Sequence, residues 1–453
     1  MTALAIIGGG IAGLVGAALA HARGRDVAVI EASKGVGGLW HSTKVELGGY
    51  SFILDAGLRL PVATGDARLD GLLFHRPDFA FDWSHLDGWP REGAITAGRF
   101  NPENSCLDAT MLGEALHGVI AEMRGARQGD EAPASALDYA VGHYGPTLAH
   151  GLIQDAVHGL FGRALAELDA KAVQWFVPRR IILGDSAATA ALLEDPALSG
   201  RVAHARHADL PAGANRPFLR PSAGGISTWI DALHASLAHA GVRFILEDGL
   251  DRIVADHGRV RAIILRSGER LDIDQLLCTT APSRIAEAVG LAVPPSPLFR
   301  QLRISHVLID GAPGHQASYC LNFNRDARFF RAIFHRHPGE LPLGLHVVSF
   351  EHLVADGDRR DLAAAEAVAE CASAGALPVD ARIIDESSTD YRNSVPVATL
   401  GDSRAAAKLR ETLCSFTNLH FAGRSAGGAP FLDQIIREID RTLDAMAGAY
   451  THD

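Results

Sequence analysis

Three glycines near the start of the chain, Gly8-x-Gly10-x-x-Gly13, leave little freedom in what it can fold into. Ahead of them runs the apolar stretch Ala3–Ile7, the pattern of a strand buried on both faces. Residues 11–23 follow with a helical pattern, and the β-branched run Asp26–Glu31 completes a βαβ unit. In such a unit Gly8 permits a tight turn out of the strand, Gly10 keeps a Cβ away from an approaching pyrophosphate, and Gly13 lets the helix lie close on the sheet. The helix start, at Ile11 and Ala12, turns its free N–H groups toward phosphate oxygens. Glu31 ends the second strand, where a carboxylate accepts bonds from ribose hydroxyls and favours a ribose without a 2′-phosphate.

A second glycine cluster follows at once, in Ala32-Ser33-Lys34-Gly35-Val36-Gly37-Gly38, and leads into Leu39 and Trp40. A nicotinamide dinucleotide does not need it. A flavin dinucleotide has a ribityl chain to accommodate as well, so FAD is the expected cofactor. No cysteine or histidine sits in a covalent-flavin motif, and the FAD is expected to be non-covalent.

At 453 residues the chain is long enough for two or three domains. Residues 77–105, with Phe79, Phe81, Trp83, Trp89 and Phe100 among Pro, Gly and Asp, read as antiparallel strands with turns. Residues 108–210 are mostly helical by periodicity, broken by a polar loop at 126–133. From Pro221 the character of the first unit resumes: a Gly224-Gly225 turn, a helix over 226–240, and short strands at 242–246, 251–255, 259–265 and 270–272. Residues 300–352 alternate like sheet strands, and a strand at 419–423 precedes a helix at 430–447. The expected fold is α/β: a discontinuous Rossmann-like FAD-binding domain of the glutathione-reductase type, with a mixed α+β substrate domain carrying a helical insert. Residues 1–75, 215–290 and 395–453 would form the first, and 76–214 and 291–394 the second.

The formal charge of -11 argues against a nucleic-acid partner. Five scattered cysteines without a CxxC, and 21 histidines without HExxH spacing, give no metal site and no disulfide framework. The apolar first twenty residues lack a basic leader and contain five glycines, so they read as strand, turn and helix rather than a signal peptide. No other apolar run reaches the length of about 18 residues that a spanning helix needs. A cytoplasmic protein with a small-molecule substrate is expected, with a homodimer open to it.

The spacing E-x-x-x-x-x-G-G after G-x-G-x-x-G resembles the flavin amine oxidase superfamily, which includes amine oxidases, protoporphyrinogen oxidases, phytoene desaturases and UDP-galactopyranose mutases. Phe52-x-x-Asp55-x-Gly57 is similar to a family segment close to the isoalloxazine ring, and Pro221-x-x-Gly224-Gly225 to one that returns the chain to the FAD domain. The resemblance places adenine against the backbone near Leu250, and the loop ending at Ala281-Pro282 beneath the cofactor. It makes Gly423-Arg424 the last flavin-contacting turn, and Leu432-Asp433 the start of a helix pointing at the flavin. Ser394-Val395-Pro396-Val397, His143-Tyr144-Gly145 and Glu167-Leu168 lean toward the mutase and protoporphyrinogen oxidase branch. The implied FAD site is therefore Gly8, Gly10, Ile11, Ala12, Gly13, Glu31, Ala32, Gly37, Gly38, Leu39, Trp40, Leu250, Ala281, Gly423, Arg424, Leu432 and Asp433.

Many amine oxidases of this group keep a lysine that holds a water near flavin N5. No lysine lies between Lys171 and Lys408, which counts against oxygen-coupled amine oxidation. His41 is the candidate general acid/base, and Arg59 the candidate to stabilise reduced flavin or hold an anionic substrate. The alternatives are a local hydrogen bond for His41 and a surface carboxylate for Arg59. His335-Arg336-His337 either lines the substrate face or ends an exposed strand, and Trp83, Trp89 and Trp229 belong to the core or a pocket wall. The expected function is an amine oxidase-like, FAD-dependent oxidoreductase working by hydride transfer from a small organic substrate, in amine or alcohol oxidation or desaturation. The alternatives are a redox-neutral sugar-nucleotide isomerase of the UDP-galactopyranose mutase kind, using reduced FAD, and a non-catalytic FAD-binding module.

Overall fold

The computed structural model describes residues 2–76, 81–85, 91–126, 133–211, 218–295, 297–335, 341–355 and 363–448. Phe79, Trp89, Arg336, His337 and residues 127–132 of the expected loop lie outside them.

The strand Thr2–Ile7 lies at the centre of the first sheet, parallel to Val27–Ile30 on one side and to the end of Arg270–Cys278 on the other. Its alternation explains the apolar run: Leu4 and Ile6 enter one core cluster, Ala5 and Ile7 the opposite one. Arg243–Ile245 and Leu419–Phe421 extend the parallel part at its two edges. Leu250–Asp256 and Arg259–Leu265 add an antiparallel meander beyond Arg270–Cys278. The short strand expected at 270–272 is thus the first third of a nine-residue strand. Residues 270–272 pair antiparallel with the meander, and 275–278 pair parallel with the first strand, so one strand serves two partners.

The helix Ile11–Ala22 is buried over most of its length, packed between the sheet, the helix Ser227–His239 and the C-terminal helix Leu432–Gly448. Its small residues suit that position. A Cβ on Gly16 would lie 3.1 Å from Leu277 of the sheet.

The second sheet runs Arg382–Pro396, Phe299–Asp310, Leu345–Ala355, Arg331–His335, Tyr319–Asn322, Glu92–Thr96, Arg99–Asn101 in spatial order. Its neighbours are antiparallel except where Glu92–Thr96 joins Tyr319–Asn322 in parallel. The helix Ala364–Ala374 covers one face. The other receives a hairpin that the sequence did not announce, Ser42–Leu47 with Tyr50–Asp55, whose Val45, Leu47, Phe52 and Leu54 pack on Leu308 and Val347. The segment 77–105 divides: Trp83–His85 pairs with Leu219–Pro221 in a separate ribbon, and Glu92–Asn101 forms a hairpin at the edge of the second sheet. The helices described between Thr110 and Leu193 form the helical layer, packed around Tyr144, Leu148, Ile153 and Leu160.

His143 and His306 are both sealed within these layers, each 2% exposed. His143 bonds through Nε2 to the Arg179 carbonyl at 3.2 Å, and His306 through Nδ1 to Ser349 Oγ at 2.6 Å. Burial pushes both down to about 4. In the unfolded chain they take up protons below about pH 6.5, so stability is fully present above that value and is lost as pH falls through 4. The urea midpoint should therefore decline over this window, and His143→Gln should flatten the decline by close to one proton's worth of slope. An unchanged slope would show that His143 is not held neutral.

Candidate active site

The turn after the first strand is built by exclusion. Gly8 adopts φ +103°, a conformation that side chains resist. Thr279 fastens the turn from the neighbouring strand end, donating from Oγ1 to the Ile7 and Gly8 carbonyls at 2.9 and 3.2 Å. A Cβ on Gly13 would fall 1.9 Å from the Gly8 oxygen. At Gly10 the same construction meets no atom within 4 Å, so the helix N-terminus opens onto space. The second glycine cluster borders that opening: Gly37 N–H donates to the Gly9 carbonyl at 2.8 Å, and a Cβ on Gly38 would come 3.4 Å from Gly10 Cα. Ala32, Gly38 and Leu39 are exposed there, and Trp40 is half-buried, edge-on to Trp229 at 6.1 Å.

Glu31 is held at the rim, its carboxylate accepting from Gly9 N at 2.7 Å and Ser33 N at 2.8 Å. Beside it runs the segment leading to Leu250, with Glu247 N bonded to the Ser33 carbonyl at 2.9 Å and Asp248 N to the Glu31 carbonyl at 3.3 Å. Ala281 is exposed at the start of the helix Pro282–Ala288, two residues after Thr279. Gly423, at φ +86°, brings the C-terminal turn so close that a Cβ would lie 2.8 Å from that of Ala12. Leu432 and Asp433 open the C-terminal helix, and the Leu432 side chain, 7% exposed, packs in the core with Ile11 and Ala12. The structure thus brings Gly37, Gly38, Gly423 and Leu432 against the turn and helix start at residues 8–13.

The two accessory motifs lock onto each other. Asp55 Oδ1 accepts from Ser42 Oγ at 2.7 Å and from Ile226 N at 2.8 Å, while Ser42 and Ser227 exchange backbone-to-hydroxyl bonds at 2.6 and 3.0 Å. Burial raises the Asp55 pKa against these bonds, which favour its charged form. Gly225 is required at this junction because a Cβ would strike Ser42 Oγ.

Beyond the hairpin the chain meets the second sheet in a charged recess. Glu351, 1% exposed, receives Arg331 Nε and Nη2 at 2.7 Å each and Leu58 N at 3.0 Å. Among the described residues, Arg59 pairs with no surface carboxylate. It donates to the Leu39 and Leu58 carbonyls at 3.0 and 3.2 Å, and burial, with Arg331 and Arg424 nearby and Glu351 and Asp55 opposing them, lowers its pKa to about 10. Arg424 lies over the rings of Trp175 and Phe176 at 5.8 and 5.6 Å, its pKa lowered by burial and then by Arg331. His41 Nδ1 bonds the Gly38 carbonyl at 2.9 Å, and its ring stands 5.5 Å from that of Tyr391. His41 Nε2 has no hydrogen-bond partner among the described residues.

His335 is no exposed strand end: it is half-buried and bonds Ser349 Oγ at 2.7 Å, the same hydroxyl that His306 holds. Trp83 and Trp229 are core residues whose indole N–H groups bond the Phe74 and Leu73 carbonyls at 2.7 and 3.0 Å. Glu351, Arg331, Tyr391, Trp175 and Phe176 were not named from the sequence, Lys171 only as the bound of a lysine-free stretch, and no local spacing marks them.

A parallel sheet whose first turn, helix start and answering carboxylate are arranged in this way has the Rossmann-type fold. Residues 6–69 match the family described as NAD(P)-binding Rossmann-like domain. No curated protein matches the chain by sequence. Among solved structures, reduced UDP-galactopyranose mutase superposes at TM-score 0.72 with 15% identity, over 99% of this chain and 96% of that one. Cyclohexylamine oxidase from Brevibacterium oxydans IH-35A gives 0.61 with 17% identity over 100% of both chains. A CLA-producing fatty acid isomerase from P. acnes gives 0.59 with 15% identity over 98% of both. The chain has the fold of the flavin amine oxidase superfamily. Among the described residues, no helix is long and apolar enough to cross a membrane.

Proposed function

We propose that the protein is an FAD-dependent oxidoreductase that takes hydride from a small organic substrate. The observation that supports this reading best is the cradle: segments 8–13, 31–38, 279–281 and 423–424 converge on one helix N-terminus, where a Cβ on Gly10 would enter open space. The second glycine cluster lengthens the cradle beyond what a nicotinamide dinucleotide needs. Gly8, Gly10, Ile11, Ala12 and Gly13 would hold the pyrophosphate, Glu31 and Ala32 the adenosine ribose, and Leu250 the adenine. Gly37, Gly38, Leu39, Trp40, Ala281, Gly423, Arg424, Leu432 and Asp433 would surround the flavin half, non-covalently. Segments 1–75, 215–290 and 395–453 would form this cofactor-binding unit, and 76–214 and 291–394 the unit that carries the substrate.

Bound FAD would supply a hydride acceptor. His41 would hold or release the substrate proton at Nε2, its ring oriented by the Nδ1 bond to Gly38. Arg59 would place a fixed positive charge beside the ring-facing loop. The purified protein should be yellow, release its flavin on denaturation, and bleach anaerobically with a substrate. A colourless preparation that cannot be reconstituted with FAD would sink the reading.

One observation favours a second reading. Arg59, Arg331 and Arg424 stand within electrostatic reach of one another, the kind of set a mutase would use for a diphosphate. Turnover only after dithionite reduction, with no net electron transfer, would establish it.

A further inference from the structure

Lys171 and Arg424 come from distant parts of the chain, yet both ride on one indole. Lys171 Nζ lies 5.7 Å from the Trp175 centroid and Arg424 Cζ 5.8 Å. Trp175 and Lys171 belong to the helical layer, one turn apart, and Arg424 to the C-terminal turn next to the cradle. Each cation gains roughly 0.5–2 kcal/mol from the indole face. Neither cation has an ion-pair partner among the described residues. Asp169 accepts the Lys171 backbone N–H at 3.0 Å without pairing with its ammonium, and Glu438 is taken up by the Gly423 and Ala429 N–H groups at 2.9 and 3.0 Å. Glu351 of the second sheet, whose charge acts on Arg59, is already held bidentate by Arg331.

We infer that Lys171, Arg424 and Trp175 form a clamp for an anionic group of the substrate, a carboxylate or a phosphate, between the helical layer and the C-terminal turn. The inference rests on the recess being the substrate side of the proposed flavin site. An anion reaching both cations would give each the counter-charge that no described residue supplies, with Arg424 and Arg59 offering hydrogen-bond donors of fixed direction. A protonated amine would instead meet the positive charges of Arg59, Arg424 and Lys171. The recess therefore selects against the substrate class after which the superfamily is named.

The test is isothermal titration of the purified, flavin-loaded protein with pyrophosphate, succinate and butylamine at low ionic strength. Pyrophosphate or succinate should bind saturably, and which of them does so tells phosphate from carboxylate recognition; butylamine should not bind. Lys171→Met and Arg424→Met should each weaken the anion by a factor of about 10 to 100, the loss expected for one charged hydrogen bond, with Arg424→Lys recovering part of it. Lys171 stands apart from the glycine cradle, so Lys171→Met should retain its flavin, read from visible absorbance. Equal anion binding by wild type and the double variant, no anion binding at all, or butylamine binding more tightly than both anions would each overturn the clamp. A wild-type protein that holds no flavin would sink the cofactor reading on its own, and the difference in succinate binding between wild type and Lys171→Met would still decide the clamp.

Discussion

Gly10→Glu should purify folded and colourless, while Gly13→Ala should fail in the fold itself. The two glycines lie in one motif but for different physical reasons. Gly10 has φ -65° and ψ -179°, a backbone that any residue adopts, and a Cβ there meets no protein atom within 4 Å. A glutamate side chain is thus tolerated by the protein and excludes only what enters the opening, by volume and by its charge against phosphate. Visible flavin absorbance should fall to the background level, while the urea midpoint stays at that of the wild-type apoprotein. At Gly13 the obstacle is the Gly8 backbone oxygen, 1.9 Å from the new Cβ, and no side chain can rotate out of the way. The helix would have to lift from the strand, an overpacking cost of at least about 1–3 kcal/mol, read as a lower urea midpoint before any ligand is considered. A Gly10→Glu protein with stoichiometric flavin would show that the opening is not where the dinucleotide lies.

The contrast also explains what could be read from the chain. Gly8, Gly13, Gly37 and Glu31 were legible because each answers a demand set by residues close to it in sequence or by a turn that only glycine makes. The apolar run Ala3–Ile7 was legible for a similar reason, since a strand buried on both faces cannot alternate. The hairpin at 42–55 escaped notice because its buried residues, Val45, Leu47, Phe52 and Leu54, find their partners in Leu308 and Val347, far along the chain. The same holds for Asp55. Its motif was recognisable, but its work is to bind Ser42 and the N–H of Ile226, which only the folded chain brings together. The recess shows the limit most plainly. Arg59 was picked out because it follows the glycine pair and the Asp55-Gly57 segment, whereas Glu351, Arg331, Lys171 and Trp175 sit in segments of ordinary composition, and their roles arise from packing alone.

Removing Glu351 should be the most damaging change in the recess, and the reason lies in what it leaves behind. The carboxylate holds Arg331 through two bonds at 2.7 Å and accepts Leu58 N at 3.0 Å. It also stands where a Cβ on Gly57 would lie 2.9 Å from Oε1, so the loop 57–59 is fitted closely around it. Glu351→Leu would strand a largely buried guanidinium and a backbone donor, and breaking one side of such a pair costs about 3–5 kcal/mol. Arg59 would lose its main opposing charge as well, which pushes its pKa further down from about 10. Most of that penalty belongs to the unpaired charge rather than to the lost attraction. The double variant Glu351→Leu with Arg331→Met should therefore recover a substantial part of the lost stability, an interaction energy that a denaturation cycle measures directly. The double variant should still lack the tie between the second sheet and the loop that carries Arg59, so its flavin should be more easily released than that of the wild type even where stability returns. Additive losses in the double variant would mean that the pair is not coupled, and that Glu351 acts on the loop alone.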